Sequence, residues 1–358
     1  QRQMCIRDRP GALRALPESP DVRVCLPLYN SLLDMKLDLT PVASVDINHS
    51  GGKLQSNVFE STVNEVPFYF FIGPSIDTRD EVYSGDNHLD GNKFTFFSLA
   101  ALELVKAIHW KPDILHAQDW HTAPAVYQLF RIRKENDFFA QTRSLLTIHN
   151  LPYLGQGAEE ALVKFGITPA QGSALPSWAT SLPLPLGLLT ADKINTVSPG
   201  YAQEMLNPEF GAGLDKFLLT RKEDLNGILN GLDTNSWDPE NDPHLPHKYG
   251  INSLPRRIEN KNNLQVELGL DIDPDIPLLA MINRLDHQKG VDLVPDALGS
   301  LQDLDWQAVL LGTGDPVLER ALRAFGHDNP QVAAVLKYDS ALARRIYGGS
   351  DIILIPSR

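Results

Sequence analysis

The sequence predicts an α/β protein of two domains, each built around a parallel sheet. Three observations carry that expectation. At 358 residues the chain is too long for one ordinary hydrophobic core. Short apolar or β-branched runs recur along it, each followed by a polar or Gly-rich turn and then an amphipathic stretch, which is the pattern of βαβ units. The runs are also near-continuously apolar, as in strands covered on both faces.

In the first half the clearest strands are 21–26, 113–117, 144–149 and 193–197. A helix over 124–133 follows a loop at 118–122, and a second, over 201–206, follows Ser198-Pro199-Gly200. In the second half, strand 277–283 leads into helix 291–301, strand 307–312 into helix 316–325, and strand 332–336 into helix 341–347, with a last strand at 351–355. Two segments break the pattern. Residues 53–72 alternate apolar and polar residues around turn-formers, as an inserted antiparallel hairpin does. Residues 235–252 are rich in Pro, Asn and Asp and read as the interdomain connection. The expected division is a first domain over 10–232 and a linker plus second domain over 233–358. The basic start QRQMCIRDR (1–9) shows neither helical nor strand period and reads as extraneous. Two similar halves facing each other leave a cleft between the carboxyl ends of their strands, where such folds bind ligands.

Composition narrows the function. The formal charge is −13, from 32 Lys and Arg against 45 Asp and Glu, which argues against nucleic acid or an anionic membrane as partner. Any phosphate ester must then sit in a local basic pocket. The richest apolar stretch, 182–191, is short and carries Pro183 and Pro185, so it does not span a bilayer. Two cysteines, Cys5 and Cys25, make no disulfide framework and suit a cytoplasmic protein.

Local chemistry is richest at MINRLDHQKG (281–290). There a buried strand enters a polar loop holding Arg284 and Lys289 and then a helix. Two cations at a strand end beside a helix N-terminus can make an anion site suited to a diphosphate, although on spacing alone a solvated loop with ordinary Lys and Arg is the favoured reading. The whole string is more specific. It resembles the donor loop of glycogen and starch synthases, S-R-L-x-x-Q-K-G, with Asn283 in place of the Ser. Other segments match that family in the same order. HAQDWH (116–121) resembles H-A-H-D-W-H, with Gln118 replacing the middle His; TIHNLPYLGQ (147–156) resembles T-x-H-N-L-x-Y-Q-G. TVSPGYA (196–202), GILNGLD (227–233) and GTGDP (312–316) resemble T-V-S-P-x-Y-A, G-x-x-N-G-x-D and G-x-G-D-P. DGNKFTFF (90–97) resembles an acceptor-lobe helix start, with Asn92 as a polar contact.

The resemblance implies the GT-B architecture of two Rossmann-like domains, and retaining transfer of glucose from ADP-glucose to the non-reducing end of glycogen or another α-1,4-glucan. It implies Asp119 as an active-site carboxylate, His149 at the transferred glucose, and Arg284 and Lys289 as the diphosphate clamp. Among its substrate contacts it places His121, Asn150, Tyr153, Gly312, Gly314 and Tyr338. Tyr338 reads equally as a packed aromatic at a helix entry, and Gly312 and Gly314 allow either close backbone approach or positive φ. No cofactor and no metal are implied, although His116, Asp119 and His121 taken alone could suggest a metal site. Family members carry a Lys-x-Gly-Gly-Leu loop ahead of the segment that PGAL (10–13) matches and continue past PSR (356–358), so the resemblance reads the chain as a fragment with an incomplete second domain.

Rival readings are another retaining two-lobed glycosyltransferase or a non-catalytic glucan- or nucleotide-binding protein. A dehydrogenase needs a GxGxxG turn that the chain lacks. SGGK (50–53) lacks the spacing of a phosphate loop. The Asp pairs at 271/273, 273/275 and 303/305 read as surface turns, and Asp192 and Asp351 as solvated strand ends.

Overall fold

Three four-stranded sheets, two of them built from alternating strands and helices, form among the described residues of the computed structural model, which cover 20–33, 37–77, 82–301 and 303–358. The segments at 1–9 and 10–13 lie outside the described residues. The chain divides into two compact units, Gln1–Gly231 and Leu232–Arg358. No described helix is long and apolar enough to cross a membrane.

In the first unit, strands β1 (Val24–Pro27), β2 (Thr40–His49), β3 (Gly52–Val63) and β4 (Val66–Ile72) form a sheet in the order β1-β4-β3-β2. The hairpin expected at 53–72 is therefore part of a wider antiparallel meander, because β2 also pairs with β3. The same alternation that marks the hairpin runs through β2, where Val45 and Ile47 are buried and their neighbours exposed. Asn64 and Glu65 make the tight β3–β4 turn with φ of 49° and 63°, the double left-handed conformation that suits a two-residue hairpin.

The second sheet of this unit is wholly parallel, β5 (Ile114–Gln118), β6 (Arg143–Ile148), β7 (Lys193–Thr196) and β8 (Leu225–Gly227) in sequence order. Helix α1 (Asn87–Ala107) starts under Asp86, whose side chain accepts the N–H groups of His88 and Leu89. It sends Phe94 into one hydrophobic cluster and Phe96, Phe97, Leu99 and Leu104 into another. Helix α2 (Asp119–Ile132) begins directly after β5, so the loop expected at 118–122 does not exist. Asp119 makes the whole turn from strand to helix in one residue, with φ of 54°. Pro124, read as a helix start, lies inside α2.

In the second unit, β9 (Leu278–Ile282), β10 (Gln307–Leu311), β11 (Val332–Val335) and β12 (Ile352–Ile353) are all parallel, in the order β11-β10-β9-β12. The chain steps outward from β9 to β11 and then returns to the other side of β9. That reversal is a topological switch point, and it falls between β9 and β12. The helix expected over 291–301 is shorter, a 3-10 turn at Val291–Leu293 followed by α-helix only over Val294–Gly299.

Two further expectations are corrected. The segment 235–252 is packed onto the helix Ser340–Gly349 of its own unit. Arg344 bonds the Ser236 carbonyl and hydroxyl and the Asp242 carboxylate, its guanidinium stacks 3.6 Å from the Trp237 ring centroid, and Leu245 fills the space beside Gly348. Its Asp238 and Asp242, and Asp233 just ahead of it, make local turns, each accepting the N–H two residues on. A turn-rich composition here gives an ordered surface strap.

Asp192 and Asp351 are likewise ties between strands. Asp192, just before β7, accepts the backbone N–H and hydroxyl of Ser144 on β6 at 2.8 and 2.9 Å and pairs with Arg133 at 2.7 Å. Asp351, just before β12, accepts the Leu278 N–H of β9 at 2.8 Å and pairs at 2.7 Å with the buried Lys261. Each parallel sheet thus uses an aspartate to stitch the start of one strand to its neighbour. Burial pushes the Asp192 carboxyl up, but the hydrogen bonds from Arg133 and Ser144 outweigh it and hold it below the ordinary 3.8. Its contribution is therefore present above that pH and lost as the carboxylate protonates in acid. Asp192→Asn is expected to cost about 1–3 kcal/mol in urea melts at neutral pH. The gap to the parent protein should close below about pH 4; a gap unchanged in acid would rule out the carboxylate as its source.

Candidate functional site

The carboxyl ends of β5 and β6 hold one cluster of chemistry. The left-handed turn at Asp119 aims its carboxylate across to the next strand, where Oδ1 accepts the His149 backbone N–H at 2.7 Å. A non-glycine residue in that conformation stores strain, which clusters at functional sites. The His149 ring Nε2 lies 3.0 Å from the Gln118 side-chain oxygen. One layer below, His116 Nε2 lies 2.7 Å from Thr147 Oγ1, which also accepts from Asn195 at 3.2 Å. Three neighbouring strands are thereby linked through side chains at one sheet end.

The loop after His149 is anchored from behind. Leu151 and Leu154 are buried, and the Leu151 N–H donates to the Tyr201 hydroxyl at 2.9 Å. Burial above all, and the Asp119 carboxylate to a lesser degree, raise the Tyr201 phenol above its ordinary 10.0 against the opposing Leu151 bond. Tyr201 therefore stays neutral and serves as an acceptor. Gly155, at φ of 90°, passes where a Cβ would strike Trp120 and Pro183, so the LPYLGQ turn closes only with glycine there. This anchoring leaves Asn150 partly exposed and Tyr153 largely exposed beside His149.

His121 is placed differently from His149. It sits in the first turn of α2, edge-on to Phe94 with centroids 4.5 Å apart and 4.4 Å from Trp120, and its carbonyl accepts from Ser98 of α1. It is part of the packing of α1 on α2. Asn92 folds back on its own helix, donating to the His88 carbonyl at 2.9 Å. Beside it lies a buried ion pair that sequence reasoning missed, Lys93 with Asp90 at 2.9 Å.

The second cluster lies at the switch point of the second unit. The loop leaving β9 carries Arg284, Asp286 and Lys289, and Asp286 caps its 3-10 turn by accepting the Lys289 N–H at 2.9 Å. The same carboxylate holds the Arg284 guanidinium through Nε, while the Arg284 side chain stays 62% exposed. The segment after β12 lies against this loop: the Arg358 N–H donates to the Gln288 carbonyl at 3.0 Å, and Gly290 has no room for a Cβ beside the Pro356 carbonyl. The loops after β9 and β10 are zipped together, with Leu285 N–H to the Thr313 carbonyl at 3.0 Å and Asp315 N–H to the Leu285 carbonyl at 2.8 Å. Gly312 and Gly314 make this possible, since a Cβ on either would collide with the carbonyl of Asn283 or Leu285. Close approach explains these glycines; neither has positive φ. Tyr338 is 78% exposed just ahead of the capping residue Asp339, which removes the packed-aromatic alternative.

No group of three or more His, Cys, Asp or Glu positioned to hold a metal ion occurs among the described residues. Of the Asp pairs in polar connections, the one at 273/275 forms a turn, in which Asp273 accepts the N–H of Asp275 at 2.8 Å.

Fold and loops define a two-unit α/β protein with polar strand-end sites, one of them a basic loop at a switch point. Residues 6–220 match the family model of the starch synthase catalytic domain. The glycogen synthase of Streptococcus sanguinis is 40% identical over 302 residues, covering 83% of this chain and 63% of that protein. The glycogen synthase of Geotalea daltonii is 38% identical over 362 residues, covering 96% and 74%. The structure of the catalytic domain of starch synthase IV from Arabidopsis thaliana, bound to ADP and acarbose, superposes with a TM-score of 0.87 at 31% identity, covering 97% of this chain and 73% of that one. The chain belongs to the glycogen and starch synthase family of GT-B glycosyltransferases.

Proposed function

We propose that the protein transfers glucose from ADP-glucose to the non-reducing 4-hydroxyl of an α-1,4-glucan with retention at the anomeric carbon. The observation that carries this reading is the Arg284–Lys289 loop at the switch point of the second sheet, a cationic loop where α/β sheets bind ligands. A nucleoside diphosphate leaving group gathers charge on its phosphate oxygens, and fixed cations stabilise that charge most in a dry site. In this reading side chains supply the charge. Asp119 and His149 serve the sugar: His149 contacts the donor glucose, and Asp119 orients it or supports developing positive charge. No residue at a matching position supplies the carboxylate nucleophile of a retaining glycosidase. A front-face path, in which the departing phosphate takes the acceptor proton, fits better.

The test is incorporation of labelled glucose into glycogen by the intact protein, from ADP-glucose and UDP-glucose in parallel. ADP-glucose is expected to give the higher kcat/KM by about tenfold or more. Incorporation from UDP-glucose alone would reject the donor assignment, and none from either would reject the activity.

A further inference from the structure

We infer that Gln118 is a positioning residue that fixes the tautomer and ring orientation of His149. The inference rests on the proposed role of His149 at the donor glucose. Gln118 is the last residue of β5 and is held at both backbone groups by one side chain. Its N–H donates to Thr122 Oγ1 at 2.5 Å, and that hydroxyl donates back to the Gln118 carbonyl at 3.0 Å. The next residue, Asp119, grips the His149 N–H at 2.7 Å. Backbone and ring of His149 are therefore both addressed by consecutive residues of the neighbouring strand.

The Gln118 side-chain oxygen, 3.0 Å from His149 Nε2, has only lone pairs to offer, so the proton of the neutral imidazole belongs on Nε2. Nδ1 is then the accepting nitrogen, and a sugar hydroxyl meeting it must donate. A glutamine cannot ionise, so the acceptor that faces Nε2 carries no titration of its own.

The experiment uses Gln118→Met, which keeps length and loses the acceptor, and Gln118→Glu, which restores it. In the intact protein, the imidazole nitrogen shifts of His149, assigned by their loss in His149→Ala, report the tautomer directly. The parent and Gln118→Glu are expected to show the Nε2-protonated ring, and Gln118→Met a mixture. Gln118→Met should lower kcat for glucosyl transfer by on the order of 10- to 100-fold with KM for the glucan nearly unchanged. Gln118→Glu should recover most of that loss. An Nδ1-protonated ring in the parent protein, or a Gln118→Met protein with full kcat, overturns the inference. A parent protein that shows the fixed Nε2 tautomer yet transfers no glucose rejects the proposed activity and still supports the positioning role.

Discussion

Replacing Arg284 or Lys289 by alanine in the intact protein should lower glucosyl transfer by about two to three orders of magnitude, with almost no change in stability. The separation of the two effects follows from geometry. Arg284 is 62% exposed, and its partner Asp286 lies two residues away on the same loop. An exposed pair of that kind contributes at most about 1 kcal/mol to folding. Its conformation is nonetheless prepared, since Asp286 holds the guanidinium while capping the turn that ends at Lys289. If the clamp acts on charge that grows on the leaving diphosphate, kcat falls; if it only grips the donor, KM rises alone. Arg284→Lys should fall between, because an ammonium keeps the charge and loses the planar fork that matches two phosphate oxygens. Thermal melts and full kinetics on the three variants decide the matter. Alanine variants with near-parental kcat/KM would remove both residues from the donor site.

That loop is legible in the sequence because its signal is local: an apolar strand, two cations and a Gly within the fourteen residues 277–290. The same holds for the parallel units and for the glycine turn at 312–314. What stays hidden depends on partners remote in sequence. The His149 contacts to Gln118 and Asp119 join residues about thirty positions apart, and the Asp192 bonds to Ser144 join residues 48 apart. Periodicity reports which face of an element is buried; it carries no information on which side chain lies across the neighbouring strand. Asp192 and Asp351 therefore read as solvated ends from sequence, although each ties two strands. The strand-to-helix passage at Asp119 is hidden for a different reason. A left-handed aspartate replaces an entire loop, and although Asp adopts that conformation more readily than most residues, far more aspartates do not, so the residue type alone does not announce it. The strap at 235–252 shows the limit of composition, since Pro, Asn and Asp specify turns whether or not an Arg344 is waiting to bind them.

Asp119 combines three roles in one residue, and three substitutions pull them apart. The backbone sits at φ of 54°, which costs about 1–2 kcal/mol for most side chains, less for Asp and Asn, and nothing for glycine. The carboxylate accepts the His149 N–H, a bond worth about 1–3 kcal/mol when its loss leaves that donor unmet. Third, the negative charge stands beside the proposed site of reaction. Asp119→Ala loses all three and is expected to destabilise the protein by roughly 2–4 kcal/mol. Asp119→Gly relieves the strain, loses the bond, and should cost less than the alanine. Asp119→Asn tolerates the left-handed backbone and still offers an oxygen to His149, so it should fold with near-parental stability. Its charge alone is gone. If that charge supports the sugar as positive character develops, Asp119→Asn should transfer glucose about 100-fold more slowly or worse while urea midpoints stay within experimental spread. A fully active Asp119→Asn would make the residue a strand clamp and nothing more. The ordering of stabilities, Asn above Gly above Ala, is a separate check on the strained turn, and Ala equal to Gly would show that the turn relaxes when the side chain is removed.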